Sequence, residues 1–283
     1  MRSIAVINQK GGVGKTTTAV NLSAALAENG ARVCLVDLDP QAHASLHLGI
    51  APDQGGTSIY DVLIGQAAVA DVRQSVTDNL WLIPSHIDLT AAELELAGEV
   101  GREVILRDKL RQDSIEFDYL LIDCPPSLGV LTLNALVASR EVFLPLQPHF
   151  LALHGMSKLL QTIEVVVRRL NPQLRLTGIV VCLNEPSARL AMEVRQDAED
   201  FFHAVDDPAC PWFGARLFET AVRRNIRLAE APSFGQSIFE YAPHSHGAQD
   251  YRQLAEEVAA MAASDESERR ASGTYVEEVE SGR

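Results

Sequence analysis

Lys10-Gly-Gly-Val-Gly-Lys-Thr-Thr-Thr18 is the stretch on which the reading of the fold turns. It follows a short apolar run, Ser3–Asn8, and opens a helical stretch, Thr16–Glu28, that closes near Gly30. A glycine-rich loop between a strand and a helix is the context a phosphate-binding loop requires. Glycines let backbone N–H groups turn inward around phosphate oxygens, and the helix N-terminus adds partial positive charge. Lys15 then stands as a mobile charge for β- and γ-phosphates, and the Thr16 hydroxyl as a ligand for Mg²⁺.

Outward from this loop the chain alternates strand and helix. Ser3–Asn8, Arg32–Asp37, Leu80–Ile83, Tyr119–Asp123, Val142–Leu146 and Leu176–Leu183 read as buried parallel strands. Ser127–Ser139 reads as a helix. So does the segment from about Leu153 to Leu170, whose Met156, Leu159, Leu160, Ile163, Val166, Val167 and Leu170 share one helical face. The simplest use of that face is packing on the sheet. The alternation predicts an α/β fold with a doubly wound, mostly parallel sheet and helices on both faces. Residues 1–263 are expected to form one domain built around the phosphate-binding loop. The stretch 264–283 carries six acidic and three basic residues and is expected to be a solvated, disordered tail.

Two further strand ends carry carboxylates. In Val36-Asp37-Leu38-Asp39-Pro40-Gln41, two carboxylates at i, i+2 on an extended segment point the same way. They are expected at the C-terminal edge of the sheet, where phosphates lie. One suits holding metal-bound water and the other orienting an attacking water. Leu120-Leu121-Ile122-Asp123-Cys124 is an apolar strand ending in a carboxylate, which suits the Mg²⁺-coordinating acid of phosphate-loop NTPases.

Composition bounds the alternatives. The chain has 283 residues, 47% hydrophobic, and a formal net charge of −14, which excludes a uniformly basic nucleic-acid coat. No run of about 18 apolar residues appears, so no transmembrane helix is predicted. The sequence enters a strand by residue 3, which leaves no room for a signal peptide, so a cytoplasmic protein is expected. The four cysteines, Cys34, Cys124, Cys182 and Cys210, have neither zinc spacing nor a disulfide pattern, and the first three fall in apolar runs as buried thiols. Of only four lysines, Lys10 and Lys15 share one loop.

Lys10-Gly-Gly-Val-Gly-Lys-Thr-Thr resembles the deviant Walker A motif of the ParA/MinD family, and Asp37-Leu-Asp-Pro-Gln41 and Asp123 resemble its second motif and its Walker B aspartate. Gln147-Pro-His-Phe-Leu-Ala-Leu-His-Gly-Met156 and Arg224-Asn-Ile-Arg-Leu-Ala-Glu-Ala-Pro-Ser-Phe-Gly235 are similar to ParA in particular. The similarity runs from residue 1 to about 262. It implies a slow ATPase with ATP and Mg²⁺ as cofactors, in which ATP closes a sandwich homodimer. Lys10 would cross to the partner's nucleotide, and the small Gly11 would admit the partner's backbone. Gly12, Val13, Gly14, Lys15, Thr16 and Thr17 would cradle phosphates. Lys10, Lys15 and Asp39 would carry catalysis, with Thr16, Asp39 and Asp123 about the metal. Adenine would lie near Asn184 and the backbone around Ala231–Ser233, Pro232 included.

ParA relatives bind DNA non-specifically through basic residues of the C-terminal half. The candidates are Arg189, Arg195, Arg216, Arg223, Arg224 and Arg227, with ion pairs to Glu219 and Glu230 as the alternative use of those charges. The resemblance further implies a ParB-like activator or cargo adaptor, and association with the nucleoid when ATP is bound. Three departures stand out. Arg223-Arg224-Asn225 replaces the more usual Pro-Arg-Asn. Asn184-Glu-Pro-Ser-Ala-Arg189 lacks the family's aspartate and arginine-threonine. Val205–Phe213 looks inserted. A MinD-like membrane role is the alternative, but it needs a basic amphipathic end, and 264–283 has a net charge of −3. Electron transfer like that of the nitrogenase iron protein needs exposed cysteines, and Cys124 falls where nucleotide is expected. With the ATPase core beginning at residue 3, no operator-binding region is expected.

Overall fold

Period-two alternation within apolar strands builds a sheet covered on both sides. In the computed structural model, which describes residues 1–51, 56–149, 154–185 and 189–261, the strands are β1 (Arg2–Val6), β2 (Val33–Asp37), β3 (Gln74–Ser75), β4 (Leu80–Ile83), β5 (Tyr119–Asp123), β6 (Glu141–Leu146), β7 (Arg175–Asn184), β8 (Arg216–Leu217) and β9 (Val222–Arg223). Their order is β3-β4-β2-β5-β1-β6-β7-β8, with β9 also on β7. All neighbours are parallel except the β3–β4 pair at the edge.

Cys34, Val36, Leu120 and Ile122 face one core, while Val33, Leu35, Tyr119 and Leu121 face the other. The helices Val130–Ala138 and Ser157–Arg169 cover the first core. The helix Lys15–Glu28 and a C-terminal helix over 246–261 cover the second. Each fully buried aliphatic side chain contributes about 2 kcal/mol, so both faces must be covered for strands of this composition to be stable.

The six expected strands and three expected helices are all present, with ends at most four residues from those expected. Leu153 and 264–283 lie outside the described residues. Met156, Leu159, Leu160, Ile163 and Val166 pack into the core, as expected of a helix lying on the sheet. Val205–Phe213 leads through turns that brace the start of β7. The Pro211 carbonyl accepts from Leu176 N at 2.9 Å, and Trp212 packs on the core.

β1 leads on one side to β5 and on the other to β6. The connection after β1 passes beyond β5 to reach β2, and later strands extend the opposite side. That reversal opens a crevice at the carboxyl ends of β1, β2 and β5, the place where ligands bind in such sheets.

Candidate active site

Three strand ends meet at this crevice. The loop after β1 turns on Gly12 (φ +73°) and Gly14 (φ +95°), left-handed conformations that side-chain-bearing residues rarely adopt. A Cβ on Gly14 would also stand 3.4 Å from the Cys182 Cβ. Gly14 caps the helix Lys15–Glu28 with no side-chain hydrogen bond, and the first turn contains no acid. The N–H groups of that first turn therefore present their positive end to an anion, with no capping side chain to compete.

Lys15 is buried, and Nζ donates to the Lys10 carbonyl at 3.2 Å. Burial lowers its pKa, an effect opposed by Asp123, Asp39 and Cys124. Both acids thus act on the ammonium electrostatically. Lys10, Gly11 and Gly12 are exposed, Val13 is buried, and Gly14, Thr16 and Thr17 are half-buried. Around a Cβ built on Gly11 there is open space.

Asp37 and Asp123 are register partners at the ends of β2 and β5, and both are fully buried. They have opposite fates. Asp37 Oδ2 accepts from Ser45 N at 2.8 Å and Ser45 Oγ at 2.7 Å, while Oδ1 accepts from Asp39 N at 3.2 Å. It anchors the turn into the helix His43–His47, so of the two carboxylates expected to point toward the phosphates only Asp39 is left without that anchoring role. Burial raises the Asp37 pKa to about 6 despite those bonds.

Asp123 has no such support: neither oxygen closes a hydrogen bond among the described residues. Burial, then Asp37, raise its pKa well above the usual carboxylate range, and nearby Thr16 and Lys15 offset this only in part. Asp39 is almost buried, with Oδ1 accepting from Gln41 N at 3.0 Å and its carbonyl from Ser85 Oγ at 2.7 Å.

An orphaned buried carboxylate beside a hydroxyl and a second acid fits a divalent cation. Among the described residues no cluster of three or more His, Cys, Asp or Glu forms a full cage. Mg²⁺ is commonly held by one or two carboxylates together with phosphates and water.

The adenine candidates lie apart from the loop in sequence. Asn184 ends β7, its carbonyl accepts from Arg224 N at 3.1 Å, and it lines a cavity of about 740 Å³ with Arg223 and Asp250. Pro232 lies in the turn Ala231–Phe234, whose following Gly235 packs directly on Gly49. Residues 186–188 lie outside the described residues.

Cys34, Cys124 and Cys182 are buried, so none is placed to share a cluster across a surface. No described helix is long and apolar enough to cross a membrane.

A family model described as an AAA domain matches residues 1–176. Chromosome-partitioning ATPase Soj of Thermus thermophilus is 46% identical over 260 residues, covering 92% of this chain and 96% of its own. Chromosome partitioning protein ParA of Caulobacter vibrioides is 42% identical over 261 residues, covering 91% and 94%. The chain belongs to the ParA/Soj family of ATPases. Among solved structures, cobyrinic acid a,c-diamide synthase from Mycobacterium smegmatis, with bound ADP and magnesium, superposes with a TM-score of 0.77. It is 36% identical and covers 92% of this chain and 94% of its own. The cell division ATPase MinD of Pyrococcus furiosus superposes at 0.70, with 27% identity, covering 92% and 99%.

The arginines are less available than their number suggests. Arg223 is held by Asp250, itself 4% exposed, through bonds of 2.5–3.1 Å. Arg195 binds Glu199 and the Phe218 carbonyl. Arg189 pairs with Glu193, Arg224 with Glu185 and Arg227 with Glu230, all at the surface. Arg216 is exposed and makes no ion pair among the described residues. Glu230 serves as the acidic partner anticipated, whereas Glu219 contributes its backbone carbonyl to Arg195.

Ser45 and Tyr251 join the site or its supports without a local signal in the sequence, and His149 falls in the ParA-like stretch that begins at Gln147 without its contact being legible there. A helical period at Tyr251, Leu254, Ala255 and Val258 marks the C-terminal helix, but not what its tyrosine touches. The contacts of all three, with Asp37, Lys10 and Thr18, depend on tertiary structure.

Proposed function

We propose that this chain is an ATP-dependent, dimerising ATPase that binds DNA non-specifically and segregates or positions a chromosome, plasmid or protein cargo. The carrying observation is the meeting of an uncapped helix N-terminus, buried Lys15 and the orphaned carboxylate of Asp123 at one sheet edge. That combination favours a nucleotide polyphosphate with a divalent cation and little else. Relatives named chromosome-partitioning proteins across more than nine-tenths of the chain support the cellular role.

Thr16, Asp39 and Asp123 would hold Mg²⁺, which when bound offsets negative charge on the phosphate oxygens. The N–H groups of residues 11–17 bind and orient the phosphates. Lys15 moves from the Lys10 carbonyl to the β- and γ-phosphates. Asp39 orients the attacking water. Lys10 crosses to the partner's nucleotide, supplying in trans the charge an arginine finger supplies elsewhere. The closed dimer excludes water and brings two sets of surface arginines onto one duplex. Turnover is slow until a ParB-like partner engages, and the ATP-bound protein is nucleoid-associated. Asn184 and Pro232 are the proposed adenine contacts.

Light scattering after size exclusion tests the switch. Dimers are expected with ATP and Mg²⁺, monomers with ADP, and monomers for Lys10→Ala in either nucleotide. A Lys10→Ala chain that dimerises normally would remove the trans role.

A further inference from the structure

In the protomer Lys10 already has a partner. Its ammonium meets Nε2 of His149, in the loop after β6, 139 residues along the chain. The backbone around Lys10 is held on the same strand. Lys10 N donates to Asn8 Oδ1 at 3.0 Å, and Asn8 Nδ2 donates to the Pro145 carbonyl at 2.8 Å. The Lys10 carbonyl takes Lys15 Nζ. Only the side chain of Lys10 is left to move, and a cavity of about 550 Å³, lined in part by Val13, Leu146 and Gln147, opens beside it.

Burial and the neighbouring ammonium lower the His149 pKa, so the ring is neutral near pH 7 and offers a lone pair. With Lys10 donating to Nε2, the ring proton sits on Nδ1.

We propose that His149 is a positioning residue that parks Lys10 within its own protomer, so that ATP-driven dimerisation must first break the Lys10–His149 contact. This rests on the reading of Lys10 as the residue that crosses to the partner. The contact stabilises the monomer alone, so it sets how much nucleotide affinity is needed before the dimer closes. Its strength is that of one partly exposed hydrogen bond to a charged group, about three- to tenfold per protomer, and two protomers must each break one, so the effect is about ten- to hundredfold in the dimerisation constant.

Sedimentation velocity with Mg²⁺ and a non-hydrolysable ATP analogue gives the dimer dissociation constant without turnover. His149→Ala, which has no acceptor, is expected to dimerise about ten- to hundredfold more tightly than the unmodified chain, both protomers having lost the contact. His149→Gln places an amide oxygen near the Nε2 position and is expected to restore the unmodified value. His149→Glu holds Lys10 harder and is expected to weaken dimerisation. A general packing defect would weaken all three, and that outcome, or a flat series, overturns the parking role. Lys10→Ala separates the two levels. If it fails to dimerise while the His149 series is flat, only the parking role fails. If it dimerises normally, the crossing role fails and takes the parking role with it.

Discussion

The hydroxyls of Thr18 and Tyr251 lie 3.2 Å apart in the buried seam between the phosphate-loop helix and the helix over 246–261. Thr18 is also 3.5 Å from Cys182 Sγ, behind Gly14. The preceding residue on the C-terminal helix, Asp250, grips Arg223. One helix thus braces both the base of the phosphate loop and the arginine-bearing turn. Tyr251→Phe removes one buried hydrogen bond while keeping the ring, and is expected to lower unfolding free energy by about 1 kcal/mol. Urea unfolding should show a lower midpoint at unchanged slope. An unchanged midpoint would mean that Thr18 satisfies itself elsewhere.

Lys15→Ala deletes the buried ammonium between the Lys10 carbonyl and the two acids. ATP affinity is expected to fall by at least a hundredfold, on the order of 3 kcal/mol, the scale of removing a charge-assisted hydrogen bond to phosphate. Calorimetric titration of the variant with Mg²⁺-ATP gives the answer, and an affinity within a few-fold of the unmodified chain would refute the phosphate-loop assignment.

Asp39→Ala removes the proposed water-orienting carboxylate while leaving Lys15 and the glycine loop in place. The variant is expected to bind ATP and dimerise, yet release phosphate at least a hundredfold more slowly, a loss typical of a positioned catalytic group. Phosphate release under single-turnover conditions is the readout. Normal turnover would take Asp39 out of the mechanism.

His47 is 2% exposed, its Nε2 has no hydrogen-bond partner among the described residues, and burial lowers its pKa to about 4. The unfolded chain, with a value near 6.5, binds the proton first on acidification. The contribution is therefore intact above about pH 6.5 and is lost as pH falls toward 4. Between pH 7 and 5 the loss is about 2 kcal/mol. Unfolding measured in urea at both pH values should show His47→Leu losing about 2 kcal/mol less than the unmodified chain over that interval. Equal losses would place the acid sensitivity elsewhere.

The sheet was legible because strands buried on both faces are written as apolar runs, and Leu80–Ile83 and Tyr119–Asp123 have the bounds expected of them. The two-residue strands β3, β8 and β9 were not, since their sequences carry no period and form where β4 and β7 offer an unpaired edge. At the site, local chemistry marked Lys10, Lys15, Asp39 and Asp123. It did not distinguish the anchored Asp37 from the orphaned Asp123, because that difference lies in Ser45, whose part in the site appears only once the chain folds back on β2. The arginine cluster showed the same limit: six charges were countable, but which were held by acids was not.

The most direct test of an ATP-switched DNA-binding ATPase is its affinity for a random-sequence duplex with ATP, ADP or no nucleotide, at low and moderate salt. Tight, salt-sensitive binding is predicted with ATP alone. Arg216→Ala and Arg224→Ala should weaken it and reduce the salt slope by about one for each phosphate that the dimer no longer neutralises, whereas Arg223→Ala should chiefly lower stability. Equal binding in all three nucleotide states, or none in any while ATP still drives dimerisation, would contradict that prediction.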